Sequence, residues 1–148
     1  MSRDEVVVWT DGGARGNPGP AGYGVVVTTP GGEVLAQVAK GIGWATNNVA
    51  EYRGAIAGLE QALALGARRV RVRADSLLVV NQQKGLWKVK HAGLRDLWGE
   101  LRRLAGQFER VTWEHVPRER NHRADALANQ AMDEQGRVER PVGDLPRS

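Results

Sequence analysis

The distribution of hydrophobic and polar positions begins with an apolar run at residues 6–9 that no polar residue interrupts. Such a run is typical of a strand buried on both faces. It ends at Thr10 and Asp11, before a stretch (12–20) with four glycines and two prolines in nine residues, which predicts a tight turn. We therefore expect Asp11 at the end of a central strand, where the ligand sites of open α/β sheets gather.

Two further strands are predicted directly after this turn. Residues 23–29 are rich in β-branched side chains, and in 33–43 Val34, Ala36 and Val38 alternate with Leu35, Gln37 and Ala39. The residues between them, 30–32, are Pro-Gly-Gly, which is typical of a tight turn. Three strands joined by short links predict an antiparallel meander.

The polar cluster at 44–48 precedes a predicted helix over 49–65, in which apolar residues recur at the spacing of one buried helical face. Gly54 and Gly58 lower the helix propensity of this segment. We expect the helix to approach the sheet closely at these two glycines.

The second half of the chain continues the alternation of strands and helices. The pattern predicts, in order, a strand at 70–75, a short helix at 76–83, a basic loop at 84–90, a helix at 92–107, a strand at 111–116 and a helix at 121–133. The order βββαβααβα predicts one α/β domain over residues 1–133, with a five-stranded mixed sheet flanked by helices. Residues 134–148 show no periodicity and are expected to form a mobile C-terminal tail.

Composition narrows the possible functions. The chain of 148 residues contains no cysteine, which excludes disulfides, zinc–thiolate sites and thiol nucleophiles. No apolar run approaches the roughly 20 residues of a membrane span, and no signal-peptide pattern is present, so we expect a cytoplasmic protein without a membrane partner. The net charge of +4 favours polyanionic partners only weakly. No feature indicates an obligate protein partner, and we expect a monomer.

Four carboxylates occupy comparable positions in the predicted elements. Asp75 ends the fourth strand as Asp11 ends the first, and parallel neighbours joined by a crossover helix would place both at one sheet edge. Glu51 falls in the first turn of the crossover helix, and Asp125 falls in the first turn of the last helix. The predicted topology therefore brings the four side chains towards one place.

Each carboxylate also has a purely structural explanation. Glu51 stands three residues after Asn48, the spacing of a capping box. Asp125 would be mildly favoured near a positive helix terminus, and Asp75 could pair with Arg71 and Arg73, whose side chains share its face of the strand.

Together, the four carboxylates favour a metal site, because a charge of −4 at close range is unfavourable without cations. Two divalent ions held by oxygen ligands would neutralise it, and such a pair is the clamp used for in-line displacement at phosphorus. The three histidines, His91, His115 and His122, are too scattered for a zinc motif.

Four segments resemble the motifs of type 1 ribonuclease H: residues 10–24, 46–52, 74–76 and 121–128. The resemblance implies the ribonuclease H-like fold and an endonuclease that cuts the RNA strand of RNA–DNA hybrids, leaving 5′-phosphate and 3′-hydroxyl ends. It implies two Mg²⁺ or Mn²⁺ ions, held by Asp11, Glu51, Asp75 and Asp125 as the catalytic set. It implies substrate contacts from Asn17, Thr46, Asn47 and Asn48, and a close approach of the RNA backbone at Gly12 and Gly13.

The chain departs from the family pattern in three places. Leu77 stands where many members have a polar contact residue. The basic, aromatic loop that grips DNA in some members is shortened here to 84–90, and its Trp87 could either contact DNA or anchor the loop in the core. The loop before Asp125 is also short. For the loop residue that assists turnover, we favour the cation Arg118, with Glu119 and His122 as alternatives.

Two other functions remain open at this stage. One is a non-catalytic nucleic-acid-binding module of the same fold, although a pure binder gains nothing from a −4 cluster that faces phosphate. The other is a nuclease that prefers double-stranded RNA or DNA.

Overall fold

The computed structural model describes residues 4–139 of the chain. Its strands are β1 (Glu5–Ala14), β2 (Gly19–Thr28), β3 (Val34–Ala45), β4 (Arg69–Ala74) and β5 (Arg110–His115). Its α-helices are α1 (Asn47–Ala64), α2 (Leu77–Gln83), α3 (Ala92–Ala105) and α4 (His122–Glu139), and a short 3-10 turn, Arg118–Arg120, precedes α4. The predicted order of strands and α-helices is confirmed.

The sheet has the strand order β3-β2-β1-β4-β5. The first three strands form an antiparallel meander. β4 pairs with β1 in parallel, and β5 pairs with β4 in parallel. The predicted five-stranded mixed sheet is therefore confirmed, including the parallel pair that places the ends of β1 and β4 side by side.

The glycine-rich segment after Asp11 suggests that β1 ends there, but it does not. The strand continues to Ala14, and Asp11–Ala14 remain paired with Gly24–Ala21 of β2. The parallel ladder with β4, in contrast, ends at the pair Thr10 and Ala74. A strand with one remaining neighbour tolerates glycine, because the antiparallel ladder still satisfies its backbone. Asp11 thus lies where β1 loses one neighbour, not where it ends.

Helix α1 packs on one face of the sheet, where the main core lies. A Cβ atom on Gly54 would lie 2.6 Å from Thr10 Oγ1, and one on Gly58 would lie 2.4 Å from Val8 Cγ1. The predicted close approach is confirmed. The side chain of Thr46 caps the helix by accepting a hydrogen bond from Val49 N, so α1 begins two residues earlier than predicted.

This boundary overturns the capping-box explanation of Glu51. Because Thr46 is the N-cap, Glu51 lies beyond the first turn of α1, and that turn contains no acidic residue. Its carboxylate is therefore free of a capping role, and its Oε1 accepts a hydrogen bond from the N–H of Gly12 in β1, just beyond the end of the parallel ladder.

Helix α4 packs on the opposite face, against β2. A Cβ atom on Gly24 would lie 2.3 Å from Ala124 O, and one on Gly22 would lie 2.7 Å from Ala131 Cβ. The helix runs to Glu139, so the tail expected from residue 134 is helical in its first six residues. The rest of that predicted tail lies outside the described residues. Within residues 4–139, no helix is both long and apolar enough to cross a membrane.

Candidate active site

Three of the four predicted carboxylates meet at the point where the parallel ladder ends. Asp11 comes from β1, Asp75 directly follows β4, and Glu51 comes from α1. Each offers a carboxylate oxygen such that the three atoms lie within 4.8 Å of one another. Strand parity and the crossover helix bring together residues that are 64 positions apart in the chain (75 − 11).

The backbone of Gly12 links two of these carboxylates. Its N–H donates to Asp11 Oδ1 at 2.9 Å and to Glu51 Oε1 at 3.2 Å. A Cβ atom on Gly12 would lie 2.5 Å from the carbonyl carbon and oxygen of Ala50. Only glycine allows α1 to come close enough for this shared hydrogen bond.

The carboxylates raise one another's pKa. Burial and the adjacent Asp75, with a smaller contribution from Asp125, raise the pKa of Asp11 to about 8. Burial, together with the charges of Asp11 and Asp75, raises the pKa of Glu51 well above its ordinary value, although the Gly12 hydrogen bond opposes this shift. A bound cation offsets the repulsion between carboxylates, which adds to the effect of burial on these pKa values.

The donor set fits a hard divalent cation. All the ligand atoms are carboxylate oxygens, which Mg²⁺ and Mn²⁺ prefer. Asp75 Oδ1 is buried and has no hydrogen-bond partner among the described residues. A buried carboxylate oxygen without a partner is unfavourable unless a cation or water satisfies it.

Asp125 joins the other three from the first turn of α4. Its carboxyl is one of the groups that raise the pKa of Asp11, although it is not part of the group of three within 4.8 Å. The side chain of Asn121, just before the helix, donates to Thr10 O at 2.9 Å and so fastens the start of α4 beside Asp11. The structure thus brings three of the predicted carboxylates together, and the fourth, Asp125, lies at the start of the helix that Asn121 fastens beside them.

The predicted substrate-binding asparagines lie around the β1–β2 turn and the start of α1. Asn17 Oδ1 accepts from Asn47 N at 3.0 Å, and Asn47 Oδ1 accepts from Ala14 N at 2.8 Å. Asn48 is exposed, and the described residues include no hydrogen-bond partner for its side chain. These contacts join the turn to the helix and leave amide groups at the surface.

The assisting-loop candidates separate in space. Arg118 Nε lies 3.7 Å from Asp75 Oδ2, although 76% of the Arg118 side chain is exposed. His122 instead lines a cavity of about 360 Å³ together with Trp9 and Arg73. Glu119 is exposed. The structure brings Arg118, and not His122, into contact with a predicted catalytic carboxylate.

Comparisons with known proteins show the family to which the chain belongs. A family model described as "Reverse transcriptase-like" matches residues 9–131. A ribonuclease H of Hydrogenovibrio crunogenus is 40% identical over 145 residues, which cover 88% of this chain and 97% of that protein. The chain belongs to the ribonuclease H family.

Other members of the ribonuclease H family are more similar in sequence. The bifunctional protein Rv2228c of Mycobacterium tuberculosis is 58% identical over 130 residues, 87% of this chain and 36% of that protein, so the chain spans about a third of that relative. The solved N-terminal RNase H domain of that protein superposes with a TM-score of 0.90 at 55% identity and covers 92% of this chain and 99% of that one. LC11-RNase H1, solved in complex with an RNA/DNA hybrid, superposes with a TM-score of 0.83 at 42% identity, covering 87% and 97%.

Three features at the rim of the carboxylate site bear on the sequence-based expectations. Gly13 is buried and faces Met132, where a Cβ atom would lie 3.2 Å from its sulfur, so Gly13 and Gly12 each have a packing role. Trp87 is 46% exposed and lies outside the core, which contradicts the core-anchor alternative. Leu77 is also exposed.

Two residues near the carboxylate site are not indicated by the motifs of the sequence. Trp44, near the end of β3, is 63% exposed, and it is the β-ladder partner of Pro20 in β2. Asn129 donates to Asp125 Oδ2 at 3.2 Å. Asp125 and Asn129 are four residues apart, so they lie on one face of α4. This spacing alone predicts that their side chains are neighbours.

Proposed function

We propose that this chain is a metal-dependent endoribonuclease that hydrolyses the RNA strand of RNA–DNA hybrids and leaves 5′-phosphate and 3′-hydroxyl ends. The observation that supports the proposal most strongly is the meeting of Asp11, Glu51 and Asp75 within 4.8 Å, with Asp125 beside Asp11. Binding without catalysis gives no reason to assemble four carboxylates where a phosphate must approach.

Asp11, Glu51, Asp75 and Asp125 would hold two Mg²⁺ or Mn²⁺ ions. When bound, such a pair supplies Lewis-acid activation of water and stabilises the leaving oxygen of a phosphodiester. The protein keeps the ligands in place through rigid elements: Gly12 N–H orients two of the carboxylates, and Asn121 fastens α4 against β1.

The remaining predicted residues would bind and position the substrate. Asn17, Thr46, Asn47 and Asn48 offer the amide and hydroxyl groups that suit 2′-hydroxyl and minor-groove contacts to a hybrid. Trp87 would contact the DNA strand from the basic loop. Arg118, beside Asp75, would attract the cleaved phosphate and help it to depart. A hybrid substrate is also supported by a related RNase H1 that was solved with an RNA/DNA hybrid.

A cleavage assay on matched duplexes tests the proposal. End-labelled RNA–DNA, RNA–RNA and DNA–DNA duplexes of one sequence are incubated with Mg²⁺, Mn²⁺ or a chelator. We expect cleavage of the RNA strand of the hybrid only, dependent on metal, with products that a 5′-phosphate-dependent exonuclease degrades. Asp11→Asn serves as the inactive control.

The other outcomes would contradict the proposal in different ways. Hybrid binding without cleavage under any metal would indicate a non-catalytic module of the same fold. Cleavage of RNA–RNA or DNA–DNA at a rate equal to that of the hybrid would indicate a nuclease with another duplex preference.

A further inference from the structure

The described contacts of α4 contain a hydrogen-bonded chain that ends on the fourth carboxylate. Asn129 Nδ2 donates to Asp125 Oδ2 at 3.2 Å and to the Asp125 carbonyl oxygen at 3.0 Å. Arg15 Nη2 donates in turn to Asn129 Oδ1 at 2.9 Å. The same nitrogen lies 2.9 Å from Asp133 Oδ1, and Arg15 Nε lies 3.2 Å from that oxygen. We call the chain Asp133–Arg15–Asn129–Asp125 the α4 relay.

Three members of the α4 relay stand on one face of the helix. Asp125, Asn129 and Asp133 are spaced by four residues, so their side chains follow one another along α4. Arg15 comes from the β1–β2 turn, whose backbone is closed by a hydrogen bond from Arg15 N to Pro20 O at 2.9 Å. The relay therefore connects a tight turn on the sheet to the carboxylate at the start of α4.

The chemistry of the relay suits a metal ligand. An asparagine amide can present either its oxygen or its nitrogen to a neighbour. Because Arg15 can only donate, it holds the Asn129 oxygen and leaves the NH₂ group to face Asp125. The carboxylate thus receives a neutral donor at Oδ2, and its other oxygen remains available for a cation.

The charge of the relay is balanced away from the metal site. An arginine in direct contact with Asp125 would compete with a divalent cation for the carboxylate. Here the guanidinium is separated from Asp125 by the amide and is paired with the exposed Asp133 at 2.9 Å. The site keeps its negative charge while the ligand is held in place.

We propose that Asn129, fixed by Arg15, is a positioning residue that orients Asp125 for metal binding. This proposal depends on the proposed function, because it assigns Asp125 to the metal-binding set. Residues that orient metal ligands by hydrogen bonds commonly change metal affinity or activity by 10–100-fold when removed. Asn129→Ala should therefore weaken Mn²⁺ binding by about tenfold.

The experiment measures the Mn²⁺ dissociation constant by electron paramagnetic resonance of the free ion. Asn129→Ala should raise this constant about tenfold and lower kcat, with KM for the hybrid changed less than about twofold. Gln130→Ala is the matched control: Gln130 is an exposed amide on the next position of α4, with Glu134 Oε1 at 3.4 Å from its Nε2. This control should leave Mn²⁺ affinity and kcat unchanged. Thermal midpoints of all variants without metal establish that they are folded.

A double-mutant cycle separates positioning from a general structural role. If Asn129 acts through Asp125, Asn129→Ala should change Mn²⁺ affinity less than about twofold in an Asp125→Asn background, where Asp11, Glu51 and Asp75 still bind the ion. An undiminished tenfold loss in that background, or less than a twofold loss in the wild-type background, would overturn the proposal. If the cycle behaves as expected but the wild-type chain does not cleave the hybrid, the relay stands and the proposed function fails.

Discussion

At the scale of single residues, the environment of Asp11 sets the electrostatics of the site. The residue is 5% exposed, it adjoins Asp75 and Asp125, and it shares the N–H group of Gly12 with Glu51. Burial and like charge both disfavour its ionised form. The free carboxylates are therefore destabilised, and this destabilisation is relieved when a cation binds.

Asp11→Asn should abolish cleavage and leave the fold intact. The substitution removes a metal ligand, so we expect turnover to fall by more than about 100-fold, as for the loss of several kcal/mol of transition-state stabilisation. It also removes a buried charge from a repulsive cluster, so the free energy of unfolding without metal should stay equal or rise. Turnover assays and urea unfolding measure the two effects. Turnover near the wild-type rate would contradict the assignment of Asp11.

The stability of the metal-free protein should fall as the pH rises. The pKa of Asp11 is raised from 3.8 to about 8, so between these values the folded state holds a proton that the unfolded state has lost. The stabilisation of the folded state by this proton is complete below pH 4 and is lost progressively up to pH 8. Over that range the folding equilibrium constant falls by as much as tenfold per pH unit. Urea unfolding at several pH values with a chelator measures this slope. Adding Mg²⁺, or substituting Asp11→Asn, should flatten the dependence of the free energy of unfolding on pH. An equal slope in Asp11→Asn would assign the pH dependence to another group.

Arg118→Ala should lower kcat more than it raises KM. The guanidinium lies 3.7 Å from Asp75, and an interaction that acts after binding affects turnover rather than substrate affinity. Since arginine stays protonated, the variant should gain no new pH dependence near neutrality. Steady-state kinetics across pH 5–9 test this expectation, with His122→Ala for comparison. A silent Arg118→Ala, with slower turnover and a lost inflection near pH 6–7 in His122→Ala, would assign the assisting role to His122.

At the scale of the elements, the distance between α1 and the sheet positions Glu51. Glycines in α1 let the helix backbone approach β1, with the Gly58 position against Val8 and the Gly54 position against Thr10. The same approach brings Ala50 and Glu51 to Gly12. The close packing of α1 on the sheet and the position of the Glu51 carboxylate therefore depend on the same glycine contacts.

Gly58→Ala should lower the free energy of unfolding by about 1–3 kcal/mol, the usual effect of overpacking. The added Cβ would lie 2.4 Å from Val8 Cγ1, and a β-branched side chain in a strand cannot easily rotate away. The matched control is Gly99→Ala in α3, where a Cβ meets nothing within 4 Å. That variant should instead gain about 0.5–1 kcal/mol from helix propensity. Urea unfolding of both variants gives the comparison, and equal effects of the two substitutions would contradict it.

The sequence predicted the elements well and their ends less well. Periodicity identified every strand and α-helix of the described chain, and the parallel placement of Asp11 and Asp75 followed from the crossover. Glycines at 12 and 13 suggested the end of β1, because local turn propensity does not reveal that β2 remains to pair with them. Similarly, the helical residues after 133 lack an apolar period, and the extension of α4 could not be read from the pattern.

Contacts made by single polar atoms were the least predictable part of the site. The convergence of the four carboxylates followed from topology, whereas the ion pair between Arg118 and Asp75 depends on how a short loop turns. The link from Arg15 to Asn129 joins residues 114 positions apart. No local propensity indicates such a pairing, because it is created by the packing of α4 on the sheet.

At the scale of the whole molecule, the basic loop itself carries only three positive side chains. The three lysines of that loop, Lys84, Lys88 and Lys90, are all exposed. The loop is held to the core through a buried hydrogen bond: Tyr52 Oη donates to Gln82 Oε1 at 2.6 Å, and Gln82 Nε2 donates to Lys88 O at 3.2 Å. The anchored loop can present its lysines to a nucleic acid, but it offers few of them.

Hybrid binding should therefore depend only moderately on salt. With the loop lysines as the main phosphate contacts, the slope of log affinity against log salt should correspond to a handful of neutralised phosphates, at about 0.9 per contact for a duplex. Lys88→Gln should reduce the slope by about one contact, whereas Lys40→Gln, on β3, should leave it unchanged. Fluorescence anisotropy with a labelled hybrid and the Asp11→Asn protein measures these slopes. A slope equivalent to ten or more contacts would reveal another binding surface.

The position of α4 in the chain also sets when the site can first be complete during synthesis. Asp125 is made 50 residues after Asp75 (125 − 75), which is roughly 3–10 s later at ribosomal speed. Until α4 docks, Thr10 O lacks its bond from Asn121, and Gly22 and Gly24 of β2 lack the helix that covers them. A nascent chain thus has three carboxylates without the fourth, so the complete set of acids forms only once α4 has left the ribosome.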